Sequence, residues 1–170
     1  VLSALAEDGV TLLPYDSVYE YVKTFAKDMT VLLCKQKANS RLVKNIPDGV
    51  KILDEENLTL LPKAIKNPVE VENERIAHIK DGVALTKFIY WLKKNVGKIP
   101  MTELSAEEKL YSFRAQQENF IDNSFDPIIS YGTHAAIVHY SATPETDIPI
   151  EPRSFLLADT GGNYYEGTTD

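Results

Sequence analysis

Two stretches in the middle of the chain carry apolar residues at helical spacing. The first helix is predicted to run from Pro68 to about Asn95, because Asn67 is a good N-cap and proline is favoured at the first helical position. Glu70 suits the positive end of the helix dipole. Its predicted apolar face consists of Ile76, Ile79, Val83, Phe88, Trp91 and Leu92.

The second helix is predicted after the break at Ile99-Pro100 and should run to about Gln117. Its start has two alternatives, since Ser105 opens a capping-box pattern and Thr102 could cap the helix one turn earlier. Leu110 and Phe113 are expected to face the core. The charged residues Glu107, Glu108, Lys109 and Arg114 are expected to face water.

Residues 1–66 predict a short α/β segment. Asp16 is a plausible N-cap for a helix over 17–27. The apolar run 30–34 predicts a buried strand, and 50–53 predicts a short strand. One or two helical turns are expected over 58–65. Strands separated by helical segments indicate a parallel or mixed sheet, and the short segment reads as the C-terminal part of a domain.

After Phe120 the pattern changes to short extended runs. Strands are predicted over 125–131, 135–140, 155–159 and 163–165, with turns at 160–163 and 166–167. Helices followed by antiparallel strands give residues 67–170 an α+β architecture, in which the long helices pack on one face of the sheet.

Composition and charge narrow the functional classes. The 170 residues carry a formal net charge of −7 and a pI of about 5.0, which argues against a nucleic-acid surface. No apolar run approaches the length of a membrane span. Cys34 is the single cysteine, predicted to be a buried apolar residue, and it excludes an internal disulfide. Without a visible signal peptide we expect a cytoplasmic protein, although a start at Val1 leaves room for a preceding segment.

Two carboxylates and one histidine are candidates for chemistry. Asp159 ends an apolar run and Asp170 follows eleven residues later, with the turn at Glu166-Gly167 between them. If that turn folds the chain back, the two carboxylates could share a cation; otherwise each closes a turn on its own backbone. His139, late in the strand predicted over 135–140, is either a site residue or a structural one.

The sequence Asp159-Thr-Gly-Gly-Asn-Tyr-Tyr-Glu-Gly-Thr-Thr-Asp170 resembles the first metal-binding motif of Xaa-Pro aminopeptidases (aminopeptidase P), which are pita-bread metallopeptidases. Further stretches that resemble the family are 137–140, 118–125, and 66–72 leading into 77–83. Residues 1–60, including Thr11-Leu-Leu-Pro-Tyr-Asp16, resemble the end of the family's middle domain less sharply. The resemblance therefore implies a creatinase-N-like middle-domain part over 1–66 and the first part of a pita-bread peptidase domain over 67–170.

The resemblance also implies a mechanism. The family uses two divalent ions, often manganese, to activate a bridging water or hydroxide that attacks the peptide bond before a penultimate proline. Asp159 matches the aspartate that chelates one ion, and Asp170 matches the aspartate that bridges both. His139 matches a histidine that lines the substrate pocket and orients the peptide or handles a proton. The implied partners are peptides with proline in second position, and a homodimer is compatible with the family.

Some features depart from the family pattern. The family completes its site with a His and two Glu from strands beyond Asp170, so we expect the 170-residue chain alone to hold metal poorly and to be catalytically silent. His134 stands where many relatives carry Asn. Two alternatives stay open: a prolidase, which cleaves Xaa-Pro dipeptides, and a non-catalytic pita-bread module that binds peptides or proteins.

Overall fold

The structure, a computed structural model, describes residues 2–170 and divides the chain into two units. One unit ends at Ile65, and the other runs from Lys66 to Asp170. Within residues 2–170, no helix combines the length and apolar character needed to cross a bilayer.

The first unit contains a small parallel sheet with four short helices. The strands β1 (Thr30–Leu32) and β2 (Lys51–Leu53) pair in parallel, as predicted. The predicted burial of the run 30–34 is wrong, because Thr30 is exposed and residues 31–34 are only half-buried. The helices are α1 (Leu2–Glu7), α2 (Val18–Tyr21), α3 (Ser40–Asn45) and α4 (Leu60–Ala64). Cys34 is only half-buried, so its predicted place in the core is wrong.

The helix predicted over 17–27 is also wrong. The chain instead forms a 3-10 turn over Tyr15–Ser17, the single turn α2, and a second 3-10 turn over Val22–Thr24. Asp16 lies inside the first turn, and neither of the flanking helix starts is capped by a side chain. The β-branched residues of this segment lower its helix propensity, which favours short turns over a continuous helix.

The second unit is built around α5 (Pro68–Asn95), whose predicted bounds are confirmed. Asn67 and Glu70 form a capping box: the Asn67 side chain accepts from the Glu70 amide at 2.9 Å, and the Glu70 carboxylate accepts from the Asn67 amide at 2.7 Å. Two otherwise unpaired N–H groups at the helix start are thereby satisfied.

The buried face of α5 differs from the predicted one. Its buried residues are Ala77, Asp81, Ala84 and Phe88, whereas Ile79 is largely exposed. Their spacing of four, three and four residues is helical, but two members are alanines and one is charged. The small alanines leave room for a second helix to pack closely against α5.

That second helix, α6 (Glu103–Arg114), starts at Thr102 rather than at Ser105. The Thr102 hydroxyl accepts from the Ser105 amide, and the Ser105 hydroxyl accepts from the Thr102 amide at 2.7 Å. The prediction that Arg114 faces water is wrong, because its side chain is only 1% exposed.

Four strands follow, arranged as two antiparallel pairs. They are β3 (Phe120–Asn123), β4 (Ile128–Tyr131), β5 (Leu156–Asp159) and β6 (Gly162–Tyr164). β4 pairs with β5, and β3 pairs with β6, so the first pair is nested inside the second along the chain. The α+β class is confirmed, with helices on one side of the strands.

The core of this unit lies between α5, α6 and β4. It consists of Phe88, Met101, Ala106, Leu110, Ile129, Tyr131 and Ile150. Burying each of the larger apolar side chains contributes about 1.5–3 kcal/mol, so this cluster holds the strands against the helix pair.

Candidate functional site

Asp159, the last residue of β5, points away from the core. In the register of the β4–β5 pair, Ala158 lies opposite Ile129, which is buried in the core. Adjacent residues on a strand point to opposite faces, so Asp159 and its partner Ile128 share the outer face. Asp159 is exposed, so its carboxylate carries no large desolvation cost although it follows an apolar run.

The turn that the sequence predicts at Gly161-Gly162 is absent from the structure. Gly162 instead begins β6, which pairs with β3. The predicted turn at Glu166-Gly167 is present, since Tyr164 and Gly167 exchange two backbone hydrogen bonds of 2.8 and 3.2 Å. This second turn reverses the chain.

The reversed chain runs back along β6 towards Asp159. Thr168 lies opposite Asn163, and the Thr169 amide donates to the Gly162 carbonyl at 2.9 Å. The next position in this antiparallel register places Asp170 at the level of Gly161, two residues after Asp159. The two aspartates therefore flank one tight hairpin.

Gly161 is required by this close passage of backbones. A Cβ built on Gly161 would overlap the carbonyl oxygen of Thr169 and the hydroxyl of Ser124. The Ser124 hydroxyl also donates to that Thr169 carbonyl at 2.9 Å. A larger residue at 161 would push away the strand end that carries Asp170.

His139 lies in a tight turn rather than in a strand. The predicted strand 135–140 is wrong: Gly132–Ala136 forms a 3-10 helix, and His139 follows in left-handed backbone conformation with φ +57°. His139 is exposed, and Val138 beside it is 84% exposed. Because these apolar residues are not packed in the core, burial does not favour an extended strand here.

A buried network under Asp159 was missed by the sequence predictions. The Arg114 guanidinium donates to both carboxylate oxygens of Asp81, at 2.7 and 3.2 Å, and to the Thr160 hydroxyl at 3.0 Å. Tyr164 donates its hydroxyl to Asp81 at 3.1 Å. The signal for Asp81 was its helical spacing from Ala77, Ala84 and Phe88.

The Tyr164 hydroxyl acts as a fixed donor in this network. Burial, followed by the charge of Asp81 and the hydrogen bond to it, raises the pKa of Tyr164 well above its ordinary value. The phenol therefore stays protonated and keeps donating to Asp81 throughout the neutral and mildly alkaline range.

A second buried group anchors the segment that ends in His139. Glu103 is 0% exposed and accepts from the Tyr131 amide at 2.6 Å. His134 Nδ1 lies 3.0 Å from Glu103 Oε2, and the Tyr140 hydroxyl donates to the same oxygen at 3.3 Å. The His134 and Tyr140 rings pack with centroids 4.4 Å apart. The histidine found at 134 is thus paired with a buried carboxylate.

The turn that returns Asp170 is held by a partly buried ion pair. Lys80 Nζ donates to Glu166 Oε1 at 2.6 Å, and Asn119 Nδ2 donates to the same oxygen at 2.8 Å. The hydrogen bond from Lys80, and then that from Asn119, holds the pKa of the Glu166 carboxyl below its ordinary value. The hairpin is thereby linked to α5.

Replacing Lys80 by methionine should raise the pKa of Glu166 towards its ordinary range. A carboxyl whose pKa is lowered by folding stabilises the folded state at pH values above its ordinary pKa, about 4.3. That stabilisation is lost as the pH falls through the lowered pKa. The wild type should therefore exceed Lys80→Met in stability near pH 7, and the gap should narrow towards pH 3. Urea unfolding at several pH values measures it. Lys87→Met, an exposed change on the same helix, should show no pH-dependent difference in stability from the wild type. If stability depends on pH in the same way in all three proteins, the stabilising role of the Lys80–Glu166 pair is contradicted.

The candidate carboxylates do not form a complete metal centre by themselves. Within residues 2–170, no group of three or more His, Cys, Asp or Glu side chains is placed to hold a metal ion. Two carboxylates flanking a hairpin nevertheless fit a hard divalent cation, because such ions prefer oxygen ligands.

Comparisons with known proteins identify the family to which this chain belongs. The profile of metallopeptidase family M24 matches residues 72–170, which is more than half of the chain. The chain belongs to metallopeptidase family M24. A second profile, the creatinase/prolidase N-terminal domain, matches residues 1–70 of this M24 member.

Curated relatives of this M24 member are named as aminopeptidases. "Xaa-Pro aminopeptidase 1" of Dictyostelium discoideum is 36% identical over 95% of this chain and 26% of its own length. "Probable Xaa-Pro aminopeptidase P" of Paracoccidioides brasiliensis is 34% identical over 96% of this chain and 29% of its own length. The chain thus spans less than a third of these relatives.

A solved structure shares the fold. The X-prolyl aminopeptidase of Caenorhabditis elegans, described as a cytosolic enzyme with a di-nuclear active site, has a TM-score of 0.86 and 25% identity. The match covers 98% of this chain and 28% of that protein. The α+β fold of this M24 chain is therefore that of the corresponding part of an X-prolyl aminopeptidase.

Proposed function

We propose that this chain supplies the first part of the active site of a metal-dependent exopeptidase. The enzyme removes the N-terminal residue from peptides that have proline in second position. The observation that carries the proposal is the hairpin that starts after Asp159 and returns to Asp170 at the level of Gly161. The names of the two relatives described above, both Xaa-Pro aminopeptidases, support the substrate class.

Asp159 and Asp170 would hold two divalent cations together with ligands from outside this chain. Carboxylate oxygens suit manganese, which is our proposed metal. When bound, such a metal pair supplies Lewis acidity that activates water and polarises the peptide carbonyl. The chain itself contributes the positions of the two carboxylates: Asp159 on a strand end fixed by β4, and Asp170 on a return strand fixed by Gly162.

His139 would contact the peptide. Its exposure leaves the imidazole free of packing in the core, and the neighbouring Glu103–His134–Tyr140 contacts fix the base of its turn. An imidazole can orient the peptide by hydrogen bonding or carry a proton near neutral pH. The remaining proposals follow the resemblance: a middle-domain part over 1–66, a peptidase-domain part over 67–170, a cytoplasmic location, and a homodimer.

The full-length protein that contains this chain should cleave Ala-Pro-Ala in a manganese-dependent manner. Asp159→Asn and Asp170→Asn should each lower kcat/KM by about 100-fold or more, since losing a metal ligand removes several kcal/mol of transition-state stabilisation. Asp122→Asn, an exposed carboxylate on β3, serves as the matched control and should leave the rate unchanged. Calorimetric titration with Mn²⁺ should show weaker binding in the first two variants only.

Other outcomes separate the alternatives. Cleavage of Ala-Pro but not of Ala-Pro-Ala would assign a prolidase, and peptide binding without cleavage would assign a binding module. A polypeptide of these 170 residues alone should show no cleavage with added Mn²⁺. Full activity in the Asp159→Asn protein would overturn the proposal.

A further inference from the structure

The buried guanidinium of Arg114 joins four separate elements. It donates to Asp81 on α5 through Nε and Nη2, to Thr160 after β5 through Nη2, and more weakly to Asn123 on β3 at 3.4 Å through Nη1. Arg114 itself ends α6, and its side chain is only 1% exposed. A planar guanidinium with fixed donor directions restricts where its acceptors can lie.

Thr160 is the acceptor that connects this network to the candidate metal ligands. It directly follows Asp159 and lies between β5 and β6, at the joint between the two strand pairs. Neither strand ladder includes Thr160. The hydrogen bond from Arg114 to the Thr160 hydroxyl therefore restricts the position of the short segment that connects β5 to β6.

Asp81 holds the other end of the hairpin. Its carboxylate accepts from the Tyr164 hydroxyl, and Tyr164 belongs to β6, along which the segment ending in Asp170 returns. Asp81 Oδ1 is also close enough to Gly162 that a Cβ built there would lie 3.3 Å from it. One buried ion pair thus contacts both the residue after Asp159 and the strand beside Asp170.

We propose that Arg114, paired with Asp81, is a positioning residue that sets Asp159 relative to Asp170 through its hydrogen bond to Thr160. This inference rests on the proposed metal-binding role of the two aspartates. The helix pair α5–α6 is then the rigid base of the metal site. Groups that orient metal ligands from behind typically change metal affinity 10–100-fold when removed.

Thr160→Val is the main test, because it removes the accepting hydroxyl and conserves shape. In the full-length protein it should weaken Mn²⁺ binding about 10-fold by calorimetric titration. Thr160→Ser, which keeps the hydroxyl, should bind Mn²⁺ within about twofold of the wild type, a difference of under 0.5 kcal/mol. Melting temperatures with a chelator present report on the metal-free fold.

The pattern of results separates this inference from the proposed function. Weak Mn²⁺ binding by both Asp159→Asn and Thr160→Val, with wild-type binding by Thr160→Ser, supports both. Weak binding by Asp159→Asn with unchanged binding by Thr160→Val overturns the positioning role alone, even if Thr160→Val melts earlier. Unchanged binding by Asp159→Asn overturns the metal role, and the positioning role with it. Arg114→Lys keeps the positive charge but loses the planar guanidinium and its fixed donor directions. It should weaken Mn²⁺ binding as much as Thr160→Val does.

Discussion

Replacing Arg114 by methionine should lower the free energy of unfolding of the unit 66–170 by roughly 3–5 kcal/mol. The change leaves the Asp81 carboxylate buried without its cation, and an uncompensated buried charge costs about that much. It also removes the donors to Thr160 and Asn123. Urea unfolding followed by the fluorescence of Trp91, the single tryptophan, reports on this unit.

The partner change provides an internal check. Asp81→Asn together with Arg114→Met removes both charges and should recover a large part of the lost stability, because the penalty arises from the unpaired ion. Arg75→Met, which breaks an exposed pair with Glu72 on the same helix, should cost no more than about 1 kcal/mol. Equal effects for the Arg75 and Arg114 variants would show that the buried pair is not a stabilising element. If Arg114→Met does not fold, Asp81→Asn alone gives the same comparison.

Replacing Glu103 by alanine should cost roughly 3 kcal/mol. The carboxylate is fully buried and accepts from the Tyr131 amide at 2.6 Å, so its loss leaves that buried N–H without an acceptor and also removes the contacts to His134 and Tyr140. Each unsatisfied buried group costs about 1–3 kcal/mol, and the enlarged cavity is partly filled by relaxation. The same Trp91 unfolding assay measures the loss.

Two further variants make the Glu103 prediction specific. Glu103→Gln retains an oxygen for the Tyr131 amide and should lose less stability than alanine. Glu108→Ala, exposed on the same helix, should change the unfolding free energy by less than about 0.5 kcal/mol. A Glu103→Ala protein as stable as Glu108→Ala would contradict the role assigned to the buried carboxylate.

Local signals predicted the helices of the second unit well. Asn67-Pro68 and Thr102 determine helix starts through contacts three residues away, and such contacts are visible in the sequence. The burial of Arg114 was not visible, because its partner Asp81 lies 33 residues earlier on another helix. From sequence alone, a cluster of charged residues on a helix predicts a solvent-exposed face, because a distant ion-pair partner such as Asp81 cannot be recognised.

The strands show the same limit. The run 135–140 has the composition of a strand, yet Gly132 and His139 both adopt left-handed backbone and the segment forms a compact turn. Gly161-Gly162 has the composition of a turn, but Gly161 is required by a close approach to Thr169. The pair of aspartates was proposed from sequence, whereas the return of Asp170 to the level of Gly161 depends on the turn at Tyr164–Gly167.

The nesting of the two strand pairs has a consequence for the order of assembly. Ile128 pairs with Asp159 inside the pairing of Phe120 with Tyr164. Closing the inner pair first reduces the loop that the outer pair must close to a few residues, so the additional entropy cost is small. Asp159 belongs to the inner pair, and Asp170 is carried by the hairpin attached to the outer one. The relative position of the two carboxylates therefore depends on both strand pairs.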